Sequence, residues 1–460
     1  MHRSGNRSSR ILKEEYEMHI LFVMFVVFQI VYIFLPLIKE RPNREPLKLK
    51  SEDEKGLTIL VPAYNEELVI EKCCTSLIHV DYTHYEIILI NDGSTDQTLL
   101  KLKELLHLEP YDRSCNNKLQ YGRIKSFYHS LIYPNVYVID KENGGKADSL
   151  NAGIDYSMND IVITLDADSL LEKDSLKYIS CAFESQKVIA VGGMVHIIQG
   201  FVNDNGTLKP SLKNTNALIK HQIIQYLDGF CLNKYTHSCL NAITVIAGAF
   251  GAFKKDVLFN VGGFRKTVGE DMDITLKFQK YIKLNNQKER MLFIPEAICY
   301  TQCPEDFKNL MNQRFRWQRA FIDCIIYYWN DLFNNFSFLT SMYLLFDSFI
   351  LGTLVSFSTI LIPLLILILP NSGVRALIIL FLTSFCTALL QDTAILFVMR
   401  RFEYKFSLKD YIRFIGFAIF ECFTYRCMGI IYVVFGTISY FINTHGWKEI
   451  ERVQFNLKTR

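Results

Sequence analysis

For most of its length the chain alternates short apolar runs with polar, turn-rich stretches, and toward its end it becomes almost continuously apolar. Leu57–Val61 is apolar and stops at Pro62-Ala-Tyr-Asn-Glu, after which Glu67–Leu77 reads as a helix. Tyr85–Ile90 is a second apolar run, ending at Asn91-Asp-Gly-Ser-Thr-Asp, with a helix expected from near Thr95 and Asp96 well placed at its start. Val136–Asp140, Ile161–Leu165, Val188–Met194 and Thr244–Phe253 read as further strands. Strands alternating with helical segments imply an α/β domain on a mostly parallel sheet. Tyr111–Tyr133 is polar and irregular and reads as a surface insertion.

The longer apolar runs divide the chain. Met18–Leu37 is interrupted only by His19 and Gln29 and has about the 20 residues a membrane span needs. No small-residue cleavage site follows, so an uncleaved anchor is expected. Leu344–Leu369, Val374–Met399 and Phe414–Ile442 read as three further spans. The expected organisation is a tail over 1–17, an anchor over 18–38, a soluble domain over 50–335, membrane helices over 336–443 and a tail over 444–460. Basic residues follow the first span (Lys39, Arg41, Arg44, Lys48, Lys50) and separate the last two (Arg400, Arg401, Lys405, Lys409, Arg413). Such loops stay on the cytoplasmic side, which places the soluble domain in the cytoplasm of a multi-pass cell-membrane protein. The N-terminal tail carries Arg3, Arg7, Arg10 and Lys13 and pulls the other way.

Composition agrees with a membrane-associated chain. Half of the 460 residues are hydrophobic and 21% charged, too apolar for an ordinary soluble enzyme. The net charge of +3 is too small to argue for a nucleic-acid partner. The twelve cysteines are scattered, without the paired spacing of a zinc site. Free thiols suit a reducing cytosol.

The candidate chemistry centres on Ile161–Ser169, IVITLDADS. Asp166 and Asp168 stand two apart at the end of an apolar strand, so both can point to one face just beyond it. Open α/β sheets bind ligands there, and two carboxylates suit a hard divalent cation, Mg²⁺ or Mn²⁺, carrying a diphosphate. A polar turn closing an ordinary strand is the plain alternative. Asn143-Gly-Gly-Lys-Ala-Asp-Ser-Leu-Asn-Ala-Gly153 puts glycines ahead of a helix, where backbone amides approach phosphate and Lys146 adds a point charge; it also reads as a simple turn. Gly269-Glu-Asp-Met-Asp273 opens a helix, and its acids serve either as caps or, in Asp271, as a general base near the metal. In Gln313-Arg-Phe-Arg-Trp317, Gln313, Arg316 and Trp317 fall on one helical face. Arginine suits phosphate oxygens and the indole offers a surface for a sugar ring; an interfacial helix anchored by Trp and Arg reads similarly.

Taken in order, YNEE at Tyr64–Glu67, NDGSTD at Asn91–Asp96, GGKADSLNAG at Gly144–Gly153, DADS at Asp166–Ser169, GED at Gly269–Asp271 and QRFRW at Gln313–Trp317 resemble the family 2 inverting glycosyltransferases. The likeness is to the membrane-bound polysaccharide synthases, poly-N-acetylglucosamine synthases first, hyaluronan and cellulose synthases further off. It spans roughly Leu57 to Trp317 and the membrane helices beyond. It implies a GT-A-type sheet with flanking helices plus an α-helical transmembrane region. It implies that Asp92 and the Tyr64, Asn65, Glu66 loop contact the nucleotide and that Lys146 lies near the nucleotide-sugar. Asp166 and Asp168 would hold sugar diphosphate and metal, with Asp168 the direct ligand. Asp271 would deprotonate the acceptor hydroxyl, with Glu270 the next candidate. Arg316 would bind the diphosphate, and Trp317, on the Gln313 face, would support the acceptor sugar. Gly269 departs from the threonine common in relatives, and a cyclic-dinucleotide domain is not expected.

The implied function is elongation of a β-linked polysaccharide from a UDP-sugar, UDP-N-acetylglucosamine foremost, coupled to export across the bilayer, with room for a small membrane partner subunit. Two alternatives stand beside it: transfer of one or a few sugars to a membrane lipid acceptor, and a non-catalytic membrane assembly subunit. Asp392, Glu421 and Arg426 fall within the apolar runs. They face a cavity or one another, or else Glu421 and Arg426 lie on an interfacial helix before a shorter last span.

Overall fold

A computed structural model of the chain describes residues 23–39, 54–204, 207–213, 215–285, 288–354, 356–357, 390–397, 407–421 and 424–442. Its strands are β1 (Leu57–Ala63), β2 (Tyr85–Asn91), β3 (Leu108–Pro110), β4 (Ile124–Ser130), β5 (Val136–Lys141), β6 (Ile161–Leu165), β7 (Leu170–Leu171), β8 (Val188–Ile197), β9 (Phe201–Asp204), β10 (Thr207–Pro210), β11 (Phe250–Lys254) and β12 (Arg290–Thr301). Apart from the antiparallel pair β9–β10, they form one sheet in the order β3-β4-β5-β2-β1-β6-β11-β8-β12-β7. Helix α1 covers residues 23–38. The labelled helices that follow are α2 (Ile70–Ile78), α3 (Thr98–Leu106), α4 (Lys146–Tyr156), α5 (Ser175–Ala182), α6 (Ala217–Leu227), α7 (Tyr235–Cys239), α8 (Lys255–Asn260), α9 (Glu270–Leu284), α10 (Phe307–Tyr327), α11 (Phe338–Met342), α12 (Leu408–Glu421) and α13 (Tyr425–Ile442), and residues 390–397 are helical as well. A π-helical segment, Asp228–Lys234, joins α6 to α7, and another, Tyr343–Leu354, extends α11.

The central strands lack polar alternation because both faces are covered. Leu57, Ile59 and Val61 of β1, Ile87 and Leu89 of β2 and Ile161, Ile163 and Leu165 of β6 enter one core. Leu60, Ile88, Ile90 and Val162, between them in sequence, enter a second core on the other face. Strands β5, β2, β1 and β6 run parallel. The chain builds outward from β1 through β2 to β5 and then crosses back to place β6 on β1's other side. The reversal opens a crevice at the carboxyl ends of β1 and β6, the usual ligand position in such sheets. Strand β11 is antiparallel to β6, with Phe250 opposite Leu165, so the loop before β11 arrives at the same crevice. Strand β12 runs parallel to β8 and pairs Cys299 and Tyr300 with β7, which brings Thr301 to the turn after β6.

Several expectations change. Tyr111–Tyr133 is not a surface insertion throughout. Ile124–Ser130 pairs with β5, and the preceding segment is tied down by Asp155, which accepts the Asn117 and Lys118 N–H groups, both at 2.9 Å. In Thr244–Phe253 only the last residues are strand. The Ile246 N–H goes to the Thr275 hydroxyl at 2.9 Å and the Gly248 N–H to Asp271 at 3.2 Å, so neither serves a ladder. The long strand β12 went unread because Pro295 interrupts it, and the pairing slips between Ile294 and Ile298.

Within the apolar run Phe414–Ile442 the described residues form two helices, α12 as far as Glu421 and α13 from Tyr425. Phe414 and Ala418 of α12 are buried in the sheet-domain core, and the Lys220 ammonium of α6 lies 4.7 Å from the Phe417 ring. That amphipathic helix lies on the domain. Glu421 therefore belongs to the docked helix and Arg426 to the next one. Half of Leu344–Leu369, most of Val374–Met399 and the start of Met18–Leu37 lie outside the described residues. Among the described residues no helix is long and apolar enough to cross a membrane. Helix α1 joins the domain through Tyr32, whose hydroxyl lies 2.6 Å from an Asp347 oxygen and 3.0 Å from His237 Nε2.

Candidate active site

The loops after β1 and β2 interlock. Asn65 adopts a left-handed conformation, φ 55°, and its side chain accepts the Thr95 N–H at 2.9 Å. The Glu66 N–H donates to the Thr98 hydroxyl at 2.9 Å, which buries Glu66 and leaves Tyr64 exposed. Asp92 is 3% exposed and organises the glycine loop. One of its oxygens accepts Lys141 Nζ at 2.7 Å and the Gly144 N–H at 3.0 Å, and the other accepts the Gly145 N–H at 2.8 Å. Gly145 has φ 92°, a turn that L side chains resist and that starts α4 directly at Lys146.

Lys141 is fully buried and also pairs with Asp148 at 2.6 Å. Removing one partner of a buried pair strands the other charge, at a cost of about 3–5 kcal/mol. Lys141→Met is therefore expected to lower stability by about that amount, read as a fall in the thermal midpoint of purified protein. An unchanged midpoint would mean that Asp92 and Asp148 do not depend on it.

Lys146 links three elements. Its Nζ lies 2.6 Å from Asp166 and 3.2 Å from Glu270 at the start of α9. Burial pulls its pKa down, but the Asp166 and Glu270 charges outweigh burial, and it ends above the ordinary lysine value. Burial pushes the Glu270 pKa up against the opposing pull of Lys146, with Asp271 adding to the rise and Arg316 opposing it. Asp271 holds the first turn of α9: its oxygens accept the Gly248 N–H at 3.2 Å and the Met272 N–H at 2.8 Å. Asp273, also in this turn, is structural. It is fully buried and bound by Arg265 at 2.7 Å and the Tyr328 hydroxyl at 3.0 Å, which clamps α9 to α10. A Cβ on Gly269 would stand 2.6 Å from Ala320 Cβ of α10. The close approach of the two helices, rather than chemistry, excludes a larger residue there.

Asp166 and Asp168 lie in the turn after β6, closed by the Ser169 N–H on the Asp166 carbonyl at 3.0 Å. They meet different neighbours. Asp166 faces Lys146, whereas Asp168 accepts from the Thr301 hydroxyl at 3.3 Å. Asp168 also lines a shallow cleft with Lys72, Tyr300 and Gln302. Among the described residues no group of three or more His, Cys, Asp or Glu side chains is placed to hold a metal ion. A donor set of one or two carboxylate oxygens does fit a hard divalent cation that keeps water and takes diphosphate oxygens.

On α10, Gln313 and Arg316 are half-buried and Trp317 is 41% exposed. The neighbouring Arg314 is almost completely buried, with its guanidinium 4.0 Å from the indole ring. Tyr226 of α6 stands with its ring 6.4 Å from that of Trp317. The structure thus gathers Tyr64, Asn65, Glu66, Asp92, Lys146, Asp166, Asp168, Glu270 and Asp271 at one sheet edge, with Arg316 close enough for its charge to act on Glu270. Sequence reasoning missed Lys141 and Arg314, although each flanks or lies within a motif.

Comparison with known proteins agrees with this architecture. The Glycosyl transferase family 2 profile matches residues 58–258, and the Glycosyl transferase family group 2 profile matches residues 161–391. The chain belongs to the family 2 glycosyltransferases. It is similar to poly-beta-1,6-N-acetyl-D-glucosamine synthase of Staphylococcus epidermidis, 28% identical over 303 residues that cover 65% of this chain and 62% of that one. The synthase of the same name from Staphylococcus aureus is 27% identical over the same shares. The match thus spans about three fifths of these relatives. Among solved structures, a mannosyltransferase from Pyrobaculum calidifontis, in complex with GDP-Man and Mn²⁺, superposes with TM-score 0.55 at 15% identity, covering 93% of this chain and 99% of that one. The fold is GT-A-like, a mixed α/β sheet with flanking helices.

Proposed function

We propose that this chain transfers sugar from a UDP-sugar, UDP-N-acetylglucosamine foremost, to the end of a growing β-linked polysaccharide at a membrane, with its sheet domain on the cytoplasmic side. The observation that carries the reading is the cluster of Lys146, Asp166, Glu270 and Asp271 at the sheet's switch point, beside an exposed indole on α10. Similarity to the staphylococcal synthases supports the donor and the polymer.

The interlocked loops bearing Tyr64, Asn65 and Glu66, shaped with the glycine loop by Asp92, offer a bed for the nucleotide. Lys146 and Arg316 bring positive charge to the diphosphate, the kind of fixed electrostatic stabilisation a departing anion needs. Asp168, with Asp166, would hold Mg²⁺ or Mn²⁺, which when bound supplies Lewis-acid stabilisation of the leaving diphosphate. Asp271, steadied by the Gly248 and Met272 amides, accepts the proton of the acceptor hydroxyl. That oxygen attacks the anomeric carbon on the face opposite the diphosphate. The bond to UDP breaks as the glycosidic bond forms, and an α-linked donor gives a β-linked product.

The test is incubation of detergent-purified full-length protein with radiolabelled UDP-N-acetylglucosamine and Mn²⁺, followed by gel filtration. High-molecular-mass product, abolished by chelation, is expected. Short products that extract with lipid would replace polymer synthesis with glycolipid synthesis, and no transfer from any common donor would favour an assembly role.

A further inference from the structure

Helix α9 carries Asp271 in its first turn and Thr275 one turn further on. Thr275 is fully buried, and its hydroxyl both donates and accepts. It donates to the Asp271 carbonyl at 2.7 Å and accepts the Ile246 N–H at 2.9 Å. The first bond alone is commonplace, since threonines inside helices often bond the carbonyl four residues back. The second reaches across to the loop before β11 and fastens it to the turn that bears Asp271. One turn beyond Thr275, the buried Gln279 side chain donates to the Ile243 carbonyl at 2.8 Å. Two residues on one face of α9 thus hold this loop at two points.

What that loop delivers is Gly248. Its N–H meets the Asp271 carboxylate at 3.2 Å. A Cβ added there would stand 2.9 Å from Lys146 Nζ and 3.4 Å from Asp271 Cβ, so the loop backbone lies against both the lysine and the acid. Its placement on α9 therefore sets where the Asp271 carboxylate points. Apolar contact does not set that placement finely. Ile243 and Ile246 share a core with Ile274 and Phe278 of α9, and such contact is non-directional and tolerates a slide along the helix. A hydrogen bond weakens steeply once its angle is wrong. The register of loop on helix thus rests on the Thr275 and Gln279 bonds. Of these two side chains, Thr275 is the one that also bonds the residue bearing the carboxylate.

We propose that Thr275 is a positioning residue for Asp271: its hydroxyl locks the 246–248 loop to the first turn of α9 and so fixes the Asp271 carboxylate for proton transfer from the acceptor. The inference rests on the reading of Asp271 as the base. A residue that acts through that carboxylate matters only while the carboxylate is present, whereas one that merely supports the fold matters equally without it.

The experiment is a double-mutant cycle on detergent-purified full-length protein: parent, Thr275→Val, Asp271→Asn and the two together, with Thr275→Ser alongside. Each is read as kcat per folded molecule and as UDP affinity by calorimetry. Valine keeps the shape and removes the hydroxyl. Thr275→Val is expected to lower kcat by roughly 10–10²-fold, the scale of a misplaced reacting group, with UDP affinity unchanged. Thr275→Ser should restore most of the rate. In the Asp271→Asn background the same valine should cost no more than about twofold, the ordinary scatter of additivity, because residues that act as a unit are not lost twice. Should Thr275→Val fail to fold, Thr275→Cys, of like size and a weak donor, takes its place in the cycle. An equal loss in both backgrounds, a parent rate in Thr275→Val, a serine variant as slow as valine, or UDP affinity falling in step with kcat overturns the role of Thr275 and leaves the base assignment intact. Retained turnover in Asp271→Asn overturns the base assignment, and this inference with it.

Discussion

Asp271→Asn is expected to cut sugar transfer by roughly 10²–10⁴, the range for loss of a general base, and to leave donor binding nearly intact. The geometry separates the two effects. The Lys146 bridge between Asp166 and Glu270 does not involve the Asp271 side chain, so the surroundings of the diphosphate survive. Asparagine can still accept one of the two amides that Asp271 accepts now, from Gly248 at 3.2 Å and Met272 at 2.8 Å. The other amide then meets an NH₂ group, a local cost in order at the first turn of α9. What asparagine cannot do is take a proton. Glu270 is a poor substitute because it is buried and Lys146 holds its carboxylate at 3.2 Å. The measurement is kcat beside the UDP affinity by calorimetry on the same preparation. Turnover at the parent rate would falsify the assignment and make Glu270 the next residue to test. Affinity falling in step with turnover would instead mean that Asp271 helps hold the donor.

The sheet was legible where local pattern and tertiary role agree. β1, β2 and β6 are largely apolar, broken inside only by the buried Thr58, Glu86 and Thr164, because both faces are covered, and each ends where polar residues emerge at the crevice. Motif positions just past those ends, Tyr64–Glu66, Asp92 and Asp166–Asp168, and Lys146 after β5, could be placed from the strands. The residues before β11 could not. Thr244–Ala249 has the composition of a strand, but its amides are taken by α9, an element that begins some twenty residues later. Ile124–Ser130 is an edge strand whose pattern is half polar, so nothing local distinguishes it from a loop. The partners of Asp166 and Asp168 were also beyond reach. The carboxylates stand two apart in sequence, but they belong to a turn, and what each one meets is set by α4 on one side and β12 on the other.

The same limit explains the charged residues that were missed. Lys141 looks like any lysine before a glycine loop, and it is buried only because Asp92 and Asp148 converge on it. Arg314 sits inside a motif whose visible logic favours Arg316, yet its place against the indole follows from how α10 packs. In the segment Phe414–Glu421, Phe414 and Ala418 pack into the sheet-domain core while Ile415 and Phe420 stay exposed, and a stripe that docks on a protein core has the same composition as one that docks on lipid.

Trp317→Ala is expected to abolish elongation while slow release of UDP, by transfer to water, persists. The indole is 41% exposed on α10, with the Arg314 guanidinium 4.0 Å from its ring and Tyr226 alongside. A ring held by a cation and left partly open to solvent is a preorganised surface for a sugar. Losing it removes acceptor positioning but not Lys146, Arg316 or Asp271. Misplacing an acceptor by about 1 Å can cost on the order of 10²-fold, and losing its platform costs more. The substitution also strips Arg314 of a cation–π partner, worth about 0.5–2 kcal/mol, so activity must be expressed per folded molecule. Trp317→Phe keeps an aromatic face and should restore part of the polymer yield. Polymer mass and UDP release are to be measured on the same detergent-purified preparations. If Trp317 only anchors α10 at an interface, both variants lower the yield of folded protein and leave specific activity unchanged. If polymer and UDP release vanish together, the residue closes the site for the donor as well, and the acceptor platform must be sought elsewhere on α10, beginning with Gln313.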